Sequence, residues 1–203
     1  MRLVLASASP RRSELLTAAG FSFEILVADV DETAHPGEAP REYVRRLARE
    51  KAAASLARLN SGAEPAVVLG ADTTVVVDGE ILGKPVDLAD AERMLRLLSG
   101  RSHTVLTGVA VTTIDAHADT VVETEVFVNA LSNEQVAWYV GSGEGADKAG
   151  AYAIQGLASR FITRIDGSYS NVVGLPVAAV DELIRTVVGR SGVLASSIAS
   201  ELF

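Results

Sequence analysis

The chain predicts a single α/β domain built around a mixed, twisted sheet with flanking helices. Three observations carry that prediction. Short apolar runs of strand type alternate with helical stretches along the length, instead of segregating into one half. The run at 66–71 is apolar throughout, as in a strand buried on both faces. The 203 residues, 48% of them apolar, suffice for one sizeable core.

Residues 2–6 read as a buried strand and 10–19 as a helix, with Leu15, Leu16 and Ala19 inward and Gly20 as its stop. Ser9 is placed to cap that helix, and Pro10 suits a first turn because no amide is needed there. Residues 21–27 alternate like a second strand. A turn-rich loop follows through the acidic Asp29–Glu32 cluster and His35-Pro36-Gly37. Residues 41–59 form the clearest helix, with Val44, Leu47, Ala48, Lys51 and Ser55 on one face.

The apolar strand 66–71 ends at Asp72-Thr73-Thr74, and residues 75–82 read as a hairpin turning at Asp78-Gly79, a dipeptide suited to positive φ. Asp87 can cap a helix over 88–98. Strands are predicted at 103–114, 120–128 and 158–165, with a polar loop around His117. Ser132-x-x-Gln135 is a capping box opening a helix to about Val140, and Pro176 opens the last helix, 176–188.

Composition narrows the function. With no cysteine and only three histidines, neither a thiol nucleophile nor a zinc centre is expected; a metal would be a hard ion held by carboxylates and phosphate oxygens. The net charge of −8 argues against a nucleic acid polymer as partner, while leaving room for a small polyanion in a local basic pocket. The N-terminal apolar run is too short for a secretory signal and no stretch approaches a membrane span, so a soluble cytoplasmic protein is expected.

Five places stand out chemically. Ser7-Ala8-Ser9-Pro10-Arg11-Arg12 follows the first strand and opens a helix, which offers amides, the positive end of a dipole and forked guanidinium donors to an anion. The same six residues also suit an ordinary strand–loop–helix with surface arginines. Lys51 sits in the middle of an apolar helical stripe; either its stem covers apolar surface while its head reaches water, or it is aimed into a cleft. Asp72 is a carboxylate after an all-apolar strand, costly unless paired, protonated or metal-bound. Gln155, beside Gly156, carries a donor and an acceptor in an apolar setting, fit for a base edge or for the backbone. Lys84 in Gly83-Lys84-Pro85 lies in a loop without P-loop spacing.

In order, the segments Ser7-x-Ser9-Pro10-Arg11-Arg12, Asp31-Glu32, Lys51, Gly70-Ala71-Asp72-Thr73, Gly83-Lys84-Pro85, Asp147-Lys148-Ala149-Gly150-Ala151-Tyr152 and Gly167-Ser168-Tyr169-x-Asn171-Val172-Val173-Gly174-Leu175-Pro176 resemble the Maf family of nucleoside triphosphate pyrophosphatases. The resemblance runs from about residue 2 to residue 187. It implies an inosine triphosphate pyrophosphatase-like fold with a deep substrate cleft, filling residues 1–188 as one domain, with 189–203 an extension of unknown role. It implies hydrolysis of a nucleoside triphosphate between the α and β phosphates, to monophosphate and pyrophosphate, with Mg2+ or Mn2+. Carried over by position, Asp72 is the proton acceptor. Ser7, Arg11, Arg12, Lys51 and Lys84 hold phosphates, and Glu32 joins Asp72 at the metal. A homodimer is common in the family.

The family divides by substrate, and Arg11, Thr73 and Gln155 match the branch acting on dTTP and UTP. The alternatives are a 7-methyl-GTP pyrophosphatase, whose branch differs at all three positions, and a nucleotide-binding cell-division regulator with weak turnover. Gly145 departs from the family pattern, which has proline there.

Overall fold

The computed structural model describes residues 2–59 and 65–190. Seven strands form one sheet: β1 (Arg2–Leu5), β2 (Phe23–Ile25), β3 (Ala66–Val77), β4 (Glu80–Leu82), β5 (Ser102–Thr112), β6 (His117–Val128) and β7 (Ile162–Asp166). Their order is β2-β1-β3-β5-β6-β7, with β4 on β3. β1 is parallel to β2 and β3, whereas β3–β4 and β6–β7 are antiparallel, so the sheet is mixed as predicted. The helices are α1 (Pro10–Ala18), α2 (Pro40–Arg58), α3 (Leu88–Leu98), α4 (Asn133–Gly141), α5 (Tyr169–Val173) and α6 (Val177–Arg190).

The chain divides into two compact units. Among the described residues, one comprises 2–59, 65–72, 107–122 and 174–190, the other 73–106 and 123–173. In the first unit the pleat of β1 and β3 sorts side chains onto two faces. Val4, Ala6 and Val68 pack with Ala48 and Ala52 of α2. Leu3, Leu5, Val67 and Leu69 pack with Leu16 of α1 and with Val180, Ile184 and Val187 of α6. Both faces are covered, which explains the unbroken apolar run at 66–71.

In the second unit, Val75, Val77 and Leu82 pack with Met94, Leu95 and Leu98 of α3 and with Tyr139 and Phe161. The β3–β4 hairpin turns at Asp78 (φ 50°) and Gly79 (φ 81°), the primed geometry expected of Asp-Gly. Asp87 caps α3 by accepting from the Asp90 amide at 2.8 Å, and the Ser132–Gln135 capping box closes both of its bonds.

The structure corrects four local expectations. Asp72 does not end a strand: β3 continues through the β-branched Thr73–Val77 run, and Asp72 meets a charge partner from α2, Lys51, without leaving the strand. Ser9 does occupy the N-cap of α1 but makes no side-chain cap bond. Ala19 is exposed; Leu16 is buried and Leu15 packs partly buried against the core as expected, and Arg12 is buried with them. The strand expected at 158–165 begins only at Ile162, because Leu157–Arg160 form a 3-10 turn whose first amides are bound by a carboxylate. The last helix runs to Arg190, and the rest of the expected extension, 191–203, lies outside the described residues.

One buried pair in the second unit makes stability depend on pH. His103, 3% exposed, places Nε2 2.8 Å from the Tyr152 hydroxyl, while its buried Nδ1 has no hydrogen-bond partner among the described residues. Burial lowers its pKa to about 4. A depressed histidine pKa means that the unfolded chain binds more protons between the two pKa values. The contribution is therefore complete above the unfolded value and is lost as pH falls toward about 4. Its ceiling is about 3 kcal/mol by linkage. Urea unfolding at pH 7.5 and 4.5 should show the loss, and His103→Gln should remove that share of the pH dependence.

Candidate functional site

In the first unit, a small residue lets a helix approach the sheet beside the charged cluster. Gly70 lies on the α2 face of β3, where an added Cβ would stand 2.2 Å from the Ala48 carbonyl oxygen and 2.7 Å from the Ala52 amide. Gly108 of β5 meets α2 in the same way, 2.2 Å from the Val44 carbonyl oxygen. Between Ala48 and Ala52 α2 carries Lys51, and two residues after Gly70 on the same face of β3 stands Asp72. The close approach brings Lys51 Nζ to 2.6 Å from Asp72 Oδ1. Gly70→Ala is thus expected to cost about 1–3 kcal/mol by overpacking, read as a lower urea midpoint.

The same Nζ lies 2.6 Å from Glu32 Oε1, so one ammonium bridges two carboxylates. Asp72 and Lys51 are nearly enclosed, with side chains 11% and 13% exposed, whereas Glu32 is 57% exposed. Burial raises the Asp72 pKa; Lys51 opposes it most strongly, then Arg12, while Glu32 adds to the rise. Of the two readings of Lys51, the head turns to charge partners and not to bulk water.

Ser7 and Arg12 are buried together at the β1–α1 junction. Arg12 Nη1 donates to Ser7 Oγ at 2.9 Å and its Nε donates to the Gly174 carbonyl at 2.9 Å. Ser7 Oγ also accepts from the Ser9 amide at 3.3 Å. Burial lowers the Arg12 pKa, with Asp72 the strongest influence against it. Arg12 is therefore a guanidinium oriented by its neighbours, and Arg11 beside it is half-buried.

The loop that presents Glu32 is fastened to α2. Tyr43 donates its hydroxyl to the Glu32 carbonyl at 3.0 Å. Arg46 grips both Glu38 oxygens, at 2.7 and 2.8 Å, and donates to the Thr33 carbonyl at 3.1 Å. That fork holds the Glu38 carboxyl down to about 2. Burial, then the Asp72 and Glu32 charges, push the Tyr43 hydroxyl up to about 12.

The remaining expected residues belong to the second unit. Lys84 is exposed just after β4, and the Gly83 carbonyl before it accepts from the Gly150 amide at 3.1 Å. Gln155 is exposed in a turn between the buried Ile154 and Gly156, and Thr73 is half-buried in β3. A Cβ at Gly145 would lie 2.0 Å from the Ala151 carbonyl oxygen, so this loop runs tight against the 149–151 turn.

A family model described as Maf-like protein matches residues 2–187. The chain belongs to that family. Among its relatives is a dTTP/UTP pyrophosphatase of Shewanella oneidensis, 54% identical, covering 91% of this chain and 97% of the relative. Proteins of the same name from Vibrio cholerae, 51% identical, and Photobacterium profundum, 49% identical, cover 91% of this chain and 97% and 96% of their own lengths. A solved dITP/XTP pyrophosphatase of Mycobacterium abscessus aligns with TM-score 0.35 at 15% identity, over 63% of this chain and 73% of its own.

The Maf-like chain also uses residues to which the sequence alone assigns no role. Tyr43 and Arg46 share a stripe of α2 at i, i+3 spacing, the readable sign of a common polar partner, but nothing local names that partner as the Glu32 loop. Asn171, in the Gly167–Pro176 segment, is fully buried and donates to the Val105 carbonyl at 3.1 Å and Thr124 Oγ1 at 2.9 Å. That part of the motif fastens α5 to β5 and β6. Among the described residues no helix is long and apolar enough to cross a membrane.

Proposed function

We propose that this chain is a nucleoside triphosphate pyrophosphatase that hydrolyses dTTP and UTP between the α and β phosphates. The observation that carries the reading is the enclosed Asp72–Lys51 pair with the more exposed Glu32 on the same ammonium, in a chain about 50% identical to proteins named dTTP/UTP pyrophosphatases. A water molecule adds to phosphorus and the α–β anhydride bond breaks, giving nucleoside monophosphate and pyrophosphate. Asp72 accepts the proton of that water.

Ser7, Arg11, Arg12 and Lys51 hold phosphate oxygens, with the two arginines supplying paired donors. Lys84 is assigned a phosphate contact, and Arg11, Thr73 and Gln155 the discrimination of the base, on the match of these positions to the family pattern. Asp72 and Glu32 would hold a Mg2+ or Mn2+ ion. No group of three or more candidate metal-ligating side chains occurs among the described residues. Two carboxylates alone suit an ion that takes its remaining ligands from phosphate and water. When bound, the ion neutralises charge on the triphosphate and activates water.

Pyrophosphate release should be measured across dTTP, UTP, CTP and 7-methyl-GTP, with Mn2+ or Mg2+ and after chelation with EDTA. The expected result is preference for dTTP and UTP, lost on chelation and restored by either ion. Preference for 7-methyl-GTP would overturn the assignment of Gln155.

A further inference from the structure

Gln155 is an exposed side chain, yet the turn that carries it is fixed on both sides by two residues the proposed chemistry does not use. Glu144, in the loop after α4, turns its carboxylate toward this turn. Its Oε1 accepts from the Leu157 amide at 2.9 Å. Its Oε2 accepts from the Ala158 amide at 3.4 Å and from the Tyr139 hydroxyl at 2.8 Å. The Tyr139 oxygen in turn accepts from the Ala153 amide at 3.0 Å. Backbone groups two residues before Gln155 and two and three residues after it are thus tied to one carboxylate–phenol pair.

The pair is itself anchored. The Tyr139 ring is 1% exposed and packs edge-on to Phe161 with centroids 5.9 Å apart. The Glu144 carbonyl accepts from Lys148 Nζ at 2.6 Å. Gly156 completes the fit, since a Cβ there would lie 2.1 Å from Glu144 Oε1. Burial pushes the Glu144 pKa up, but the bonds from Leu157, Tyr139 and Ala158 and the Lys148 charge together bring it below its ordinary value. A carboxylate suits the place because it is acceptor-only. A glutamine would turn an amide N–H2 toward one of the donors now satisfied. The phenol that donates to a charged acceptor also becomes a better acceptor for the Ala153 amide.

We infer that Glu144, acting with Tyr139, is the positioning residue that fixes the Gln155 turn and thereby sets base discrimination, an inference that rests on the proposed reading of Gln155. The amide of Gln155 meets a base edge through directional hydrogen bonds, which weaken steeply with misalignment. A turn free to shift keeps the amide but loses its aim. The defect then appears as a base preference and not as a general loss of rate.

The test is the ratio of kcat/KM for UTP over CTP in Glu144→Ala, Glu144→Gln, Tyr139→Phe and Gln155→Ala, with thermal melts alongside. Glu144→Ala is expected to lower that ratio about tenfold, chiefly through the KM for UTP, with Glu144→Gln and Tyr139→Phe shifting it in the same direction by less. The double variant Glu144→Ala/Gln155→Ala should lower it no further than Gln155→Ala alone. If Glu144→Ala does not fold, Tyr139→Phe, which keeps the buried ring, and Glu144→Gln carry the test. A merely structural role would depress both substrates together and leave the ratio unchanged; that result, with Gln155→Ala still shifting it, would overturn the inference alone. An unchanged ratio in Gln155→Ala would overturn the base reading and the inference built on it.

Discussion

Asp72→Asn is expected to lower kcat for UTP by about 10³-fold while leaving KM nearly unchanged. The substitution keeps the size and the position on β3 but removes the ability to take a proton and the charge facing Lys51. Stability should be spared. Burial raises the Asp72 pKa, so this group favours the fold most when protonated, and that contribution is lost as pH rises through its folded value. An asparagine resembles the protonated form, and Lys51 retains Glu32 at 2.6 Å. Unfolding free energy at neutral pH should therefore fall by no more than about 1 kcal/mol. Pyrophosphate release and urea unfolding on the same preparation separate the two effects. A variant that turns over at the wild-type rate removes Asp72 from the mechanism.

The candidate site was legible wherever a residue contradicted its local pattern. Lys51 breaks an apolar stripe and Asp72 breaks an apolar strand, and each anomaly is the other's explanation, joined at 2.6 Å. Helix ends marked by local chemistry, such as Asp87 and Ser132, were legible because a cap bonds within three residues. What escaped was whatever depends on a distant carbonyl or carboxylate. Ser9 looked like a cap, but the hydroxyl that matters at that junction is Ser7, held by Arg12. Residues 158–161 read as strand because the Glu144 carboxylate that turns Leu157 and Ala158 into a 3-10 start lies 13 and 14 residues away. The fastening of the Glu32 loop by Tyr43 and Arg46 was invisible for the same reason.

Lys51→Met is expected to be damaging in two separable ways. Its ammonium is the strongest influence opposing the burial of the Asp72 charge, and Asp72 cannot relax into solvent as the more exposed Glu32 can. Removing one partner of an enclosed pair leaves an uncompensated charge, at about 3 kcal/mol, softened if Asp72 takes up a proton and by Arg12 nearby. Activity should fall about 10²-fold, through a lost phosphate contact and a base pushed toward its protonated form. The double variant Lys51→Met/Asp72→Asn makes the argument decisive. With the Asp72 charge gone there is nothing left for Lys51 to compensate on β3, so the double variant should recover most of the stability lost in Lys51→Met, yet stay as inactive as Asp72→Asn. Recovery of stability without recovery of rate identifies a pair whose electrostatics serve chemistry at a cost to the fold. Wild-type stability in Lys51→Met would show instead that Lys51 does not hold the Asp72 charge.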